Sequence, residues 1–169
     1  MVNKDISLKT DHGRFNYRVG AIIIHDHHLL MVKNVNFPYY YSVGGRVRFG
    51  ELSTEAVLRE VVEETQVNME IERLAFVHEN LFIGDIKNQP WHEIAFFYWM
   101  KPAKNLNFAA LSCNSHAENG ATESLHWLPL DKLSNCPLFP EFFKTELLNR
   151  NEDVGHFITK DEITFRVTS

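Results

Sequence analysis

Residues 45–67 read GRVRFGELSTEAVLREVVEETQV, and the second half of this stretch is the best helix in the chain. Ser53 or Thr54 can cap a helix over 53–66, and Glu55 complements the dipole in its first turn. At about 100° per residue, Glu60, Glu63 and Glu64 share an arc of about 100°, with Val57, Leu58, Val61 and Val62 on the far side. The expectation is a helix that buries the valine face and shows the carboxylates. Like charges at i, i+3 and i, i+4 destabilise a helix by roughly 0.2–0.5 kcal/mol each, so something must compensate. Arg59 is four residues from both Glu55 and Glu63 and can pair with either. A hard divalent cation, Mg2+ or Mn2+, would relieve more of the repulsion. Taken alone, an acidic face is usually a solvated surface. The glycines just upstream, Gly44-Gly45 and Gly50, alter that weighing. A tight glycine loop can bring a backbone carbonyl and the carboxylates to one point.

Outward from the helix, Val19 to Ile24 reads as a buried strand and Leu29 to Lys33 as its return, a hairpin across the polar break at residues 25–28. Tyr39 to Val43 is a short aromatic strand that Gly44-Gly45 ends. Extended segments follow over 69–83 and 92–100, then a long polar loop over 102–122, a strand over 125–128, a helix over 139–150, and short terminal strands at 157–158 and 163–167. This order predicts a mixed sheet with a few helices packed around it.

The 169 residues fit one domain, 1–169, with 44% hydrophobic and 23% charged residues. The formal charge of −5 argues against extended contact with nucleic-acid backbones. It permits a small anionic substrate, because a bound metal can reverse the local field. Cys113 and Cys136 form no CxxC and read as free thiols of a reducing compartment. The longest apolar run, Ala95 to Met100, is too short to span a bilayer, and the N-terminus shows no signal region, so a cytoplasmic location is expected.

Gly45, five residues, Glu51, seven residues, Arg59-Glu60-Val61, one residue, Glu63-Glu64, one residue, Gln66-Val67: this pattern resembles the Nudix box, with Gln66 where the family has its late glycine. Val43 also stands where many relatives have proline. The resemblance is tight over the box and loose over most of the chain, including Trp127-Leu128-Pro129-Leu130. It implies an α/β/α sandwich and metal-assisted hydrolysis of a nucleoside diphosphate linked to another group. The substrate would be a nucleoside triphosphate, a nucleotide sugar or ADP-ribose. By position, Glu60 and Glu64 become the principal metal ligands, with Glu63 nearby and the Gly44 carbonyl as the non-carboxylate ligand. Arg59 would orient the carboxylates. Glu51 would pair with Arg59 or hold a further metal. Gln66 would forfeit a left-handed helix cap unless the last turn unwinds differently. The family places its general base variably, and outside the box Glu118 and Glu123 are the candidates.

Tyr39, Tyr40, Tyr41 and Trp91 are candidate stacking partners for a substrate base, against the ordinary reading of aromatics as core. Arg46, beside the glycine pair, and His92 or Glu93, at a strand end facing the expected cleft, are candidate substrate contacts. His25, His27 and His28 cluster in a turn, where side chains diverge too much for a zinc site. A homodimer is left open. A non-catalytic nucleotide-sensing domain is the alternative function, disfavoured by an intact box. An RNA-decapping activity would need a basic groove that the charge pattern lacks.

Overall fold

The computed structural model describes residues 4–84, 89–101 and 122–160, and the backbone of 163–166. Strands β1 (Ser7–Thr10), β2 (Gly13–Ile22), β3 (Ile24–His25), β4 (His28–Asn34) and β5 (Tyr40–Arg46) precede the helix α1 (Ser53–Thr65). Then come β6 (Glu70–Ile83), β7 (Pro90–Lys101), β8 (Glu123–Pro129), a 3-10 turn over Leu130–Asn135, β9 (Leu138–Phe139), a short helix α2 (Phe143–Glu146), β10 (Gly155–Lys160) and β11 (Ile163–Arg166). The strands join in the order β11-β10-β6-β7-β2-β5-β4-β3, with β1 on β2, β8 on β4 and β9 on β5. Pairing is mixed: β2–β7, β6–β10 and β5–β9 are parallel.

Period-two alternation divides the sheet between two apolar layers. Leu29 and Met31 of β4, with Ala95, Phe97 and Trp99 of β7, face a core completed by Leu133, Phe142, Phe143 and Leu147. Leu30 and Val32, with Tyr98 and Met100, face the other core, closed by Ala56, Val57 and Val61 of α1. The result is the expected α/β/α sandwich. One outer layer is α1, and the other is the 3-10 turn with α2.

Three expectations change. The hairpin is only β3–β4, turning through Asp26 and His27, both at positive φ as a two-residue turn requires. β2 is separated from β4 by β5, which pairs with both. Gly44 and Gly45 do not end β5; it runs on to Arg46. The helix expected over 139–150 shrinks to one turn, held mostly by i→i−3 hydrogen bonds such as Lys144 N–H to the Glu141 carbonyl at 3.0 Å. Phe142, Phe143 and Leu147 wedge into the core there, while Arg150 leaves to stack on Trp99 at 4.7 Å and pair with Glu72.

Candidate active site

α1 lies against β5 because β5 carries no side chains at the crossing. A Cβ on Gly45 would sit 2.5 Å from the carboxylate carbon of Glu60, and one on Gly44, at φ +143°, would sit 2.2 Å from the Val19 carbonyl oxygen. Neither Ser53 nor Thr54 caps the helix. Leu52 occupies the cap position, Glu55 reaches back to accept from its N–H at 2.8 Å, and the Ser53 hydroxyl bonds the Tyr98 hydroxyl at 2.7 Å. At the other end Gln66 itself adopts the left-handed conformation, at φ 61°, and its N–H donates to the Val62 carbonyl at 2.9 Å. The cap therefore survives the loss of the glycine, with a residue that tolerates this region less readily.

Arg59 organises the site. Its guanidinium offers five N–H groups, and each has an acceptor. Nε and Nη2 donate to the two oxygens of Glu51 at 2.7 and 3.0 Å, and Nη2 also donates to the Arg46 carbonyl at 3.0 Å. Nη1 donates to Glu60 at 2.6 Å and Glu63 at 3.2 Å. Burial opposes its charge, but the bonds from Glu51 and Glu60 outweigh it and hold the guanidinium above its ordinary pKa. The same fork holds Glu51 below the usual carboxylate range. Since Glu51 also accepts from the Arg48 N–H at 2.9 Å, it is spent on structure. Arg59 takes Glu63, as i, i+4 spacing allows, but Glu55 is engaged at Leu52.

The three carboxylates differ in burial, which corrects the expectation of one exposed face. Glu63 is half exposed, at 49%, and lies 3.6 Å from Arg48 Nη2. The Glu60 side chain is 14% exposed. Glu64 is 8% exposed, with Oε1 accepting the Gly44 N–H at 3.2 Å and Oε2 buried without a partner. Burial pushes Glu60 up, against Arg59, and pushes Glu64 up further, against the Gly44 hydrogen bond. An unpartnered buried carboxylate oxygen is costly. All-oxygen donors of this kind suit a hard divalent cation, and the Glu64 oxygen supplies an open position for one. Among the described residues no three His, Cys, Asp or Glu side chains lie close enough together to hold a metal ion, and Glu60 and Glu63 both accept from Arg59.

On the α1 face of β5, Tyr41 donates its hydroxyl to Glu123 at 2.5 Å, and buried Asn34 adds Nδ2 at 3.4 Å. Burial and Glu123 together raise the Tyr41 pKa. Tyr41, Glu123 and Glu64 are thus brought together. Arg46 gives its carbonyl to Arg59 and sets Nη1 3.7 Å from Asp5. Glu93 is buried, accepting from Asn16 Nδ2 at 2.7 Å. Trp91 stacks on Phe82 at 5.9 Å under Arg14 at 5.1 Å, with its Nε1 sealed against Gly84. Tyr40 packs at the edge of the α2-side core, under Lys33 at 4.8 Å, whereas Tyr39 stacks with Phe37 and meets Phe139. His92 is exposed beside Phe15. The turn histidines do not converge: His25 pairs with the Asp26 carboxylate at 3.2 Å and His28 bonds the Asp26 carbonyl at 2.7 Å. Glu118 and Cys113 lie outside the described residues, and Cys136 is free. Sequence reasoning missed Asn34, Asn16 and Arg18; a lone polar residue at the edge of an apolar run was the only signal.

A sheet between two helical layers, crossed at a glycine strand by an arginine-tethered glutamate helix, defines a class of hydrolases that act on phosphoanhydrides. The NUDIX domain model matches residues 14–147, and the chain belongs to the Nudix family. Members of this family act on small nucleotide substrates and generally use divalent metals. Solved structures with the same fold include the mutator MutT protein from Bacillus halodurans, at 17% identity and TM-score 0.59, covering 86% of this chain and 90% of that one. A Nudix hydrolase from Nitrosomonas europaea is 12% identical with TM-score 0.54, covering 89% and 82%. A Nudix-family hydrolase from Clostridium perfringens is 18% identical with TM-score 0.53, covering 79% and 98%. No curated protein matches the sequence. Among the described residues no helix is long and apolar enough to cross a membrane.

Proposed function

We propose that this enzyme is a metal-dependent pyrophosphohydrolase, acting within one domain on a nucleoside diphosphate linked to another group. Nucleoside triphosphates, nucleotide sugars and ADP-ribose are the substrate types. The observation that carries the reading is the unpartnered buried oxygen of Glu64 on the helix whose Glu60 and Glu63 share Arg59. Glu60 and Glu64 would hold Mg2+ or Mn2+, joined by Glu63 and the Gly44 carbonyl. When bound, the cation neutralises phosphate charge and makes water acidic enough to attack near neutral pH.

The rest falls to this chain's own side chains. Arg59, locked by Glu51 and the Arg46 carbonyl, fixes the direction of Glu60 and Glu63. Glu123, steadied by Tyr41 and Asn34, is the general base that takes the proton of the attacking water, with Glu118 the other candidate. Tyr41, Arg46, Trp91 and Glu93 are the residues we assign to substrate contact. A cytoplasmic setting goes with the free thiol of Cys136.

The test is a nucleotide panel incubated with purified protein and either metal, with and without chelator, in ¹⁸O-water. At least one nucleoside diphosphate derivative should turn over many times without any partner protein, and chelation should stop it. The label should appear on a phosphate. A nucleotide that binds and raises the melting temperature, yet stays uncleaved across the panel, would instead identify a sensor.

A further inference from the structure

Asn16 of β2 and Glu93 of β7 stand side by side in the parallel register, and both are buried, at 0% and 8% exposure. Alternation fixes the face they occupy. Tyr17 and Val19 turn toward α1, whereas Ala95 and Phe97 turn toward α2. Asn16 and Glu93 therefore lie on the α2 side of the sheet, away from the acidic helix.

The hydrogen bonding of this pair is one-sided. Asn16 Nδ2 donates to Glu93 Oε1 at 2.7 Å, and Arg18 Nη1 lies 3.7 Å from the same oxygen. Asn16 Oδ1 is buried with no partner. Among the described residues Glu93 is engaged through Oε1 alone. What remains unmet at the pair is a need for donors, and a buried acceptor left unpaired is costly. A phosphate offers acceptors and cannot meet that need. A group presenting two adjacent N–H or O–H donors can.

The register also sets the reach. Four residues along β2 from Asn16, Gly20 pairs with Gly44, whose N–H holds Glu64. At about 3.3 Å per residue, the acceptor pair stands about 13 Å from that strand position. A nucleotide spans a distance of this order between its phosphates and the far edge of its nucleoside.

We propose that Asn16 and Glu93 determine specificity: their open acceptors bind a paired-donor edge on the nucleoside of the substrate. The imino and amino groups of a guanine supply such an edge, and so do the two hydroxyls of a ribose. This deepens the pyrophosphohydrolase reading and rests on it for the presence of a nucleoside. The pair acts in binding, so its loss falls on KM more than on kcat.

The test uses the whole protein in chelator, with GMP as the probe. GMP should raise the melting temperature with concentration, from which an apparent Kd follows. Inosine monophosphate lacks the amino donor, and 2′,3′-dideoxy-GMP lacks both hydroxyls. The analogue missing the recognised edge should bind about ten- to a hundredfold more weakly, the scale of a hydrogen bond to a charged group. Glu93→Gln replaces an acceptor with a donor and should cost GMP the same factor. It should leave the affinity of the weaker analogue within about threefold, since the lost interaction is already absent there. Glu79→Gln removes a carboxylate from the other face of β6, where it pairs with His156, and should bind GMP as wild type does. Equal affinity for GMP and both analogues overturns the proposal, as does wild-type GMP affinity in Glu93→Gln or no GMP binding by wild type. Should Glu93→Gln fold poorly, Glu93→Asp keeps the charge and withdraws the oxygens by one methylene. Unchanged GMP affinity in that variant, at an unchanged melting temperature, overturns the acceptor geometry. If wild type cleaves no nucleotide, the enzymatic reading fails, while the metal-free titration still decides the acceptor pair.

Discussion

Gly45→Ala is the sharpest probe of the helix–strand crossing. The new methyl would meet the Glu60 carboxylate carbon and Oε1 at 2.5 Å and Oε2 at 2.6 Å. Ordinary contact begins near 3.4 Å, so the whole carboxylate must retreat by about 0.9 Å. The backbone itself accepts alanine, because Gly45 is not among the positive-φ positions. The cost therefore comes from one contact. Retreat of Glu60 stretches its 2.6 Å bond from Arg59 and shifts a proposed metal ligand. A displacement of about 1 Å at a reacting centre costs on the order of a hundredfold in rate, and overpacking costs about 1–3 kcal/mol in stability. We expect kcat/KM on the nucleotide found in the panel to fall about a hundredfold. The stability loss should vanish when Gly45→Ala is made in a Glu60→Ala background, because the clash partner is then gone. Chemical denaturation of the four proteins of this cycle gives the coupling. Wild-type kcat/KM in Gly45→Ala, or the same destabilisation in both backgrounds, would refute the reasoning.

Three further outcomes follow from the buried groups. Glu64→Gln should abolish metal-dependent turnover yet raise the melting temperature in chelator. A folded-state pKa raised by burial means that stability is full below the ordinary value near 4.5 and declines as pH rises above it. The gain over wild type should therefore be larger at pH 8 than at pH 4, and a gain independent of pH would contradict the burial argument. His78 behaves oppositely: burial, aided by the charge of His156, lowers its pKa to about 4 from 6.5. The unfolded chain thus takes up the proton first, and about 3 kcal/mol of stability is lost as pH falls from 6.5 to 4. His78→Gln should flatten that slope relative to wild type in acid denaturation, and an unchanged slope would show that His78 is protonated in the fold. Glu123→Ala should lower kcat by about 10²–10⁴ and remove the acid limb of its pH profile. If Glu118→Ala does so instead, the base lies in the segment before β8.

The box was legible because its chemistry is local. Helix periodicity and spacing along one segment are enough to place Arg59, Glu60, Glu63 and Glu64 together. What periodicity could not give was depth. A helical wheel treats Glu64 as polar and therefore outward, but its carboxylate is buried against the neighbouring strand, where Oε1 accepts the Gly44 N–H. The glycines were read as a strand break because a one-dimensional pattern cannot distinguish a turn from a close crossing. Strand order was least legible. The apparent hairpin over 19–33 gave way to β5 inserted between β2 and β4, a pairing decided by residues far apart in sequence. Arg18 was passed over for a related reason. Beside an apolar run it looks like a solvated strand end, and only the register reveals the second arginine facing it.

The five-fold engagement of Arg59 bears on how the molecule breathes. Its guanidinium ties the end of β5, the 47–52 connection and two turns of α1 into a closed ring. Glu51 cannot leave that ring without releasing several charge-assisted hydrogen bonds together. The amide of Arg48, bonded to a Glu51 oxygen that Arg59 also holds, should then exchange with deuterium only when that ring opens. A surface loop carrying exposed Phe49 and Leu52 would thus belong, in exchange experiments, to the slow cooperative unit of the core. Loss of Arg59 would turn it into an independent, fast-opening segment.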